Sequence, residues 1–181
     1  MLRPLYLLIF KILGWKTVGQ FPPLKKYVIA VAPHTSNWDF PLGVAGRSIF
    51  RIQKKAKFLG KNSLFKPPFG WIFRMLGGYP VDRSKSHDMV EQVTNIFNAN
   101  DEFVLALAPE GTRKKVDKLR TGFYYIAKSA NVPIVPVGFD YKKKEIIVGD
   151  PVYLTDSFEN DMEVLLSFYR TVTGKRSEEH T

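Results

Sequence analysis

Apolar positions along this chain follow two rhythms. Blocks at 27–32, 103–107 and 133–139 are apolar nearly throughout and rich in Val, Ile and Ala, with a shorter one at 57–60. Runs of that length and type read as strands buried on both faces of a sheet. Between them the spacing becomes helical: 37–50, 69–76, 86–98 (Met89, Val93, Ile96 and Phe97 on one stripe) and 122–130. Residues 146–154 look like an extended edge segment broken by Gly149 and Pro151. Asp156-Ser157-Phe158-Glu159 is a capping box that opens a last helix to about residue 169. Strands alternating with helices predict an α/β single-domain layered sandwich over 21–173, its central sheet mostly parallel and flanked by helices.

The first twenty residues differ from the rest. Leu5, Leu8, Ile9, Ile12 and Leu13 recur at helical spacing, with Tyr6, Phe10 and Trp15 nearby. Residues 1–20 therefore predict an N-terminal amphipathic helix, either lying in a membrane interface or packed on the core. The longest uncharged run there, 4–10, is far shorter than the roughly 20 residues that span a bilayer. No small-residue cleavage site follows it, so neither a spanning helix nor a signal peptide is expected. Residues 174–181 read as a flexible tail.

Composition narrows the chemistry. The 181 residues are 45% apolar and 24% charged, ordinary for a globular domain. With no cysteine, disulfides, thiolate metal sites and cysteine acyl-enzymes are excluded. A net charge of +10 favours an anionic partner: nucleic acid, anionic lipid, a phosphorylated substrate or an acidic carrier. Nucleic acid is the weakest of these, because the basic clusters at Arg51, Lys54, Lys55, Lys57 and at Lys114, Lys115, Lys118, Arg120 are not interleaved with aromatic residues. Lys142, Lys143 and Lys144 read as a solubilising hairpin turn.

Ligands of open α/β sheets gather at the carboxyl ends of the strands. Two segments fall there. His34-Thr35-Ser36-Asn37-Trp38-Asp39 follows the first buried block. A histidine with a carboxylate to fix its tautomer and steady the imidazolium is a minimal general base. Asp39 has a second reading, since Ser36-Asn37-Trp38-Asp39 is itself a capping box. A helix starting near Ser36 would bring His34 and Asp39 within reach of each other. Pro109-Glu110-Gly111-Thr112-Arg113 ends the block at 103–107; Glu110 and Arg113 are either an ion pair or ligands for a polar substrate group. Gly77-Gly78-Tyr79-Pro80-Val81-Asp82-Arg83 lies between them, and Arg83 offers a fork of donors for phosphate unless Asp82 occupies it. No Gly-x-Ser-x-Gly elbow or phosphate-cradling glycine loop is present, which disfavours acyl-enzyme and nucleotide-dependent schemes. A metal-dependent hydrolase at His34 and Asp39 lacks a third ligand, for the other histidines are His87, in a helical stretch, and His180, in the tail.

Taken together these segments resemble the glycerolipid acyltransferases, of which lysophosphatidic acid acyltransferases are typical. The family's His-four-residues-Asp motif is matched by His34 and Asp39, its Gly-x-x-x-x-Asp-Arg motif by Gly77 to Arg83, its Pro-Glu-Gly-Thr-Arg motif by Pro109 to Arg113, and its Val-Pro-Ile-Val-Pro-Val motif by Val132 to Val137. Pro33, Ala108 and Lys114-Lys115 depart from the usual residues. The resemblance implies an O-acyltransferase that moves a fatty acyl group from acyl-CoA or acyl-carrier protein to a glycerophosphate-type hydroxyl, 1-acylglycerol-3-phosphate first, with another lyso-lipid or polar acceptor as the alternative. His34 and Asp39 would be catalytic. Arg83 and Arg113 would hold the acceptor phosphate, and Glu110, Gly111 and Thr112 would shape the acceptor site. No metal or other cofactor is implied. The expected location is peripheral, on the cytoplasmic face of a membrane, with the membrane surface, the lyso-lipid and the acyl donor as partners.

Overall fold

The computed structural model describes residues 2–81, 89–110 and 119–175. Along the chain come α1 (Arg3–Leu13), β1 (Lys16–Val18), β2 (Lys26–Val31), α2 (Asp39–Ile49), β3 (Ala56–Lys61), a 3-10 turn (Asn62–Phe65), α3 (Gly70–Met75) and β4 (Gly78–Val81). Then follow α4 (Met89–Ala99), β5 (Phe103–Leu107), α5 (Gly122–Ser129), β6 (Ile134–Asp140), β7 (Glu145–Val148) and α6 (Phe158–Tyr169). The strands make one sheet, β1-β7-β6-β2-β5-β3-β4, in which only β6 and β7 run antiparallel. The layered α/β architecture with an N-terminal helix is the one the apolar rhythm predicts.

Strand order decides which helix lies on which face. The steps β2 to β3 and β3 to β4 move across the sheet in one direction; β4 to β5 and β5 to β6 move in the other. Right-handed crossovers therefore place α2 and α3 on one face and α4 and α5 on the opposite face. Side-chain alternation along each strand serves both. Val28, Ala30, Leu105 and Ile134 pack with Val93, Phe97 and Phe123, and α6 joins them through Leu165. Tyr27, Ile29, Val104 and Val135 pack with Ala45 and Ile49 of α2 and Phe10 of α1. The Arg3 guanidinium ties α1 to α2 by donating to the Ile49 carbonyl at 3.1 Å.

The register places the candidate loops side by side. Ala30 of β2 pairs with Leu107 of β5, and Val31 pairs with Val137 of β6. The loops that leave β2 and β5 at their carboxyl ends are thus neighbours.

Several local expectations are corrected. β1 and β4, three and four residues long, carry too little alternation to be read from sequence; β1 also means that residues 1–20 are a helix followed by an edge strand paired with β7. Helix α2 starts at Asp39 rather than near Ser36. The cap of α6 is Ser157, whose hydroxyl accepts the Asn160 amide at 3.4 Å, so the cap lies one residue later than the Asp156 box; Asp156 instead sits beside Lys128 on the surface. Lys144 does more than solubilise its turn, because its ammonium donates to the Leu13 carbonyl at 3.0 Å, at the negative end of α1. Gly174, the first residue of the expected tail, is buried, and a Cβ there would meet Thr35 Oγ1 at 2.9 Å. Residues 176–181 lie outside the described residues.

Candidate active site

His34 sits in the loop after β2, and Asp39 is the first residue of α2. The turn between them folds the imidazole back onto the carboxylate, with His34 Nδ1 2.9 Å from Asp39 Oδ2. The Asp39 side chain is 1% exposed and that of His34 27%, so the carboxylate is sealed while the ring reaches the surface. The capping-box reading of Asp39 is corrected, because α2 begins at Asp39 itself with Trp38 as an N-cap that makes no side-chain bond; the carboxylate closes the turn before the helix instead. Its Oδ2 accepts the Ser36 amide at 3.0 Å, and Ser36 Oγ accepts the Trp38 amide at 3.2 Å. The same carboxylate orients the imidazole.

Its other oxygen is held from a distant element. The Tyr141 hydroxyl, in the turn joining β6 to β7, donates to Asp39 Oδ1 at 2.6 Å. Burial, the largest single influence on Asp39, pushes its carboxyl up. The hydrogen bonds from His34, Tyr141 and the Ser36 amide outweigh it and hold the carboxyl below its ordinary range. The Tyr141 phenol is pushed well above its ordinary value by burial and then by its bond to Asp39, so it is a fixed donor at neutral pH. With Nδ1 directed at a carboxylate, the proton sits on Nδ1 and Nε2 is the basic nitrogen.

Glu110 arrives from the end of β5. Its Oε2 accepts the His34 backbone amide at 2.8 Å, which fastens the loop after β5 to the loop after β2. Tyr169 of α6 donates to the Ala30 carbonyl at 2.7 Å; burial and then the Glu110 charge push its phenol up. Glu110 thus braces the loop that carries His34. Arg83, Gly111, Thr112 and Arg113 lie outside the described residues.

A cavity of about 750 Å³ opens beside the pair. Its wall runs from His34 and Asp39 along the inner side of α2, past Gly43 and Gly46, to Phe50 and Ile52. Most of the lining is apolar. Gly43 leaves room there, since among the described residues a Cβ at that position would touch only Phe139 Cζ, at 3.8 Å. Lys175 places its ammonium 5.1 Å from the Trp38 ring centre and 5.9 Å from that of Tyr141. Among the described residues no group of three His, Asp or Glu side chains is arranged to hold a metal ion.

Tyr141 escaped the sequence reading because nothing local marks it. Tyr141 lies more than a hundred residues from Asp39, and only the pairing of β6 with β2 brings it close.

The arrangement can take a proton from a hydroxyl held beside a long apolar group. A family model described as Acyltransferase matches residues 16–140. The chain is 32% identical over 127 residues to the 1-acyl-sn-glycerol-3-phosphate acyltransferase of Streptococcus pneumoniae, covering 69% of this chain and 46% of that one. It is 29% identical over 139 residues to the Haemophilus influenzae protein of the same name, covering 71% and 55%. The Escherichia coli protein of that name is 33% identical over 116 residues, covering 60% and 45%. The chain thus spans about half the length of the curated relatives it matches. Its fold resembles the crystal structure of the 1-acyl-sn-glycerophosphate (LPA) acyltransferase PlsC from Thermotoga maritima, with a TM-score of 0.61 at 21% identity over 94% of this chain and 77% of that one.

Proposed function

The chain belongs to the acyltransferase family, and we propose that it transfers a fatty acyl group from a thioester, acyl-CoA or acyl-carrier protein, to the free hydroxyl of a glycerophosphate-type lyso-lipid, 1-acylglycerol-3-phosphate first among them. One observation carries this reading: the His34–Asp39 pair, 2.9 Å apart, stands at the mouth of an apolar cavity. A thioester is already activated, so the reaction lacks only a base for the alcohol. His34 Nε2 takes the hydroxyl proton as the oxygen attacks the thioester carbonyl. The C–S bond then breaks, and the proton held on the imidazole goes to the departing thiolate. Asp39 keeps Nδ1 protonated and stabilises the transient imidazolium, and Tyr141 keeps Asp39 in place. The cavity takes the acyl chain.

The acceptor phosphate is assigned to Arg83 and Arg113, with Gly111 and Thr112 shaping the same subsite beside Glu110. Peripheral attachment to the cytoplasmic face of a membrane is assigned to α1. Leu5, Leu8, Ile12 and Leu13 remain exposed there while Phe10 alone is buried, and a surface of that kind suits the headgroup region. Among the described residues no helix is long and apolar enough to cross a membrane.

The test is mass spectrometry of products from a panel of lyso-lipids offered with both donors, using wild type and His34→Ala. Wild type should acylate a phosphorylated lyso-lipid, and the variant should lose about 10²–10⁴ of the rate. Arg83→Ala should raise KM for the phosphorylated acceptor roughly ten- to a hundredfold, the worth of a charge-assisted hydrogen bond. Folded His34→Ala protein that keeps wild-type turnover would remove the base from the mechanism.

A further inference from the structure

The half of the chain that builds the α1–α3 side of the sheet has an unusual charge inventory. Residues 1–81 carry thirteen Lys or Arg and one acidic residue, Asp39, whereas residues 82–181 carry fourteen and sixteen. Asp39 is buried, so that half shows solvent no carboxylate. Exposed large apolar side chains are segregated in the same way. Besides α1, they concentrate on the arm made of the 3-10 turn and α3, at Leu64, Phe69, Trp71 and Met75, the last three between 63% and 67% exposed. Among the described residues of the opposite layer only Tyr125, Tyr153 and Val164 compare.

The arm is firmly built. Phe65 is its buried pin. A Cβ at Gly60 or Gly78 would stand 2.7 or 2.8 Å from its ring, and one at Gly70 only 2.0 Å from its carbonyl oxygen. Arg74 donates to that carbonyl at 3.0 Å and lies 5.6 Å from the ring centre. With Phe65 packed inward, Phe69, Trp71 and Met75 are held out in water on a rigid support, beside the exposed cations Lys66 and Arg74. The arm also ends at the catalytic cavity, because Leu76 lines it.

We propose that this arm is a second membrane-contact element, which inserts Phe69, Trp71 and Met75 into an anionic lipid surface while α1 lies on the same surface. The inference rests on the lipid-acyltransferase reading for its purpose but not for its evidence. Protruding aromatic and thioether side chains beside lysine and arginine match the headgroup–acyl boundary, where the rings are buried and the cations meet phosphates. An acidic protein partner would use the charge and leave the apolar side chains without a role. Two contacts on one layer would set the molecule's orientation and turn the cavity mouth toward the bilayer holding the lipids.

A single-tryptophan protein, Trp15→Phe/Trp38→Phe, reports the contact through Trp71. Vesicles of phosphatidylcholine and phosphatidylglycerol brominated near the top of the acyl chain should quench its emission and shift it to the blue. In the otherwise native protein, Phe69→Ser/Met75→Ser should weaken sedimentation with these vesicles at least tenfold, while turnover on a water-soluble short-chain acceptor stays at the wild-type level. Vesicle-bound protein with unquenched Trp71 overturns the proposal. So does a dimer in solution that Phe69→Ser/Met75→Ser dissolves, because the patch would then be covered by a second copy. Quenching in a protein that acylates no lipid overturns the functional reading and leaves the membrane contact standing.

Discussion

Asp39 and Asp161 are both almost sealed from solvent, and they lie on opposite faces of the sheet. Asp161, in the first turn of α6, accepts the Tyr124 hydroxyl, the Thr155 amide and the Thr155 hydroxyl, each at 2.9 Å. Asp39 accepts the Tyr141 hydroxyl and the Ser36 amide, and its third partner is an imidazole that reaches a cavity. Burial and full hydrogen bonding are common to both. What separates them is that one donor to Asp39 is an imidazole, which carries a second nitrogen, whereas every donor to Asp161 is a hydroxyl or a backbone amide. Their surroundings differ accordingly. Asp39 lines the cavity, whose wall draws on both layers, with Phe123 and Ile126 of α5 facing α2 residues, whereas Asp161 lies away from it among the residues packed around Leu165.

His34→Ala and Asp161→Ala should break this pair in opposite directions. The first lowers kcat about 10²–10⁴-fold and leaves the fold standing. The second orphans the Tyr124 and Thr155 donors at about 1–3 kcal/mol each and leaves turnover near wild type well below the melting temperature. Steady-state kinetics and thermal unfolding of the two variants decide the matter; an Asp161→Ala protein that is stable but inactive would erase the distinction.

Tyr141→Phe sharpens the comparison on the open side. It removes a 2.6 Å bond to a buried carboxylate, a loss of about 1.5–3 kcal/mol. The expected result is a fall in kcat of roughly ten- to a hundredfold with KM little changed. An unaltered kcat would show that the Ser36 amide and His34 hold Asp39 without it.

Gly43→Leu tests the cavity itself. Gly43 has room for a side chain, and leucine suits a helix better than glycine, so the variant should fold. Filling space that would otherwise bury about two methylenes, at about 0.8 kcal/mol each, should turn the product profile toward shorter acyl chains by roughly tenfold. An unchanged chain-length profile would place the acyl group elsewhere.

The smallest effect concerns acid. The Asp39 carboxyl is held below its ordinary value in the folded protein. Its contribution to stability is therefore complete above the unfolded value of about 3.9 and is lost as pH falls through the lower folded value. Melting temperatures measured from pH 5 downward should fall less steeply for Asp39→Asn than for wild type. Parallel slopes would mean that the hydrogen bonds do not outweigh burial.

Blocks 27–32, 103–107 and 133–139 were legible because a strand buried on both faces must be apolar at every position, and no loop or amphipathic helix shares that pattern. Helix α5 was legible within a residue, and α4 at its far end, from periodicity. The short edge strands β1 and β4 were not, since three or four residues cannot display a period and their pairing depends on β7 and β3 being already in place. His34, Asp39 and Glu110 stood out because each follows a strand end in a recognisable order. Their contacts did not stand out: one oxygen of Glu110 accepts the His34 amide, which no spacing announces.

By itself the sequence determined the class of fold, the order of its longer elements and the residue types at the carboxyl edge, because these follow from local periodicity and from short motifs read along one strand and one turn. Tertiary structure alone decided that β5 and β6 flank β2, and through that adjacency the rest: Tyr141 on Asp39, Glu110 beneath His34, a cavity beside α2 and apolar side chains gathered on one layer. Local propensity acts over a few residues, whereas these contacts join positions 76 and 102 residues apart. Such pairs meet only when the whole sheet has assembled.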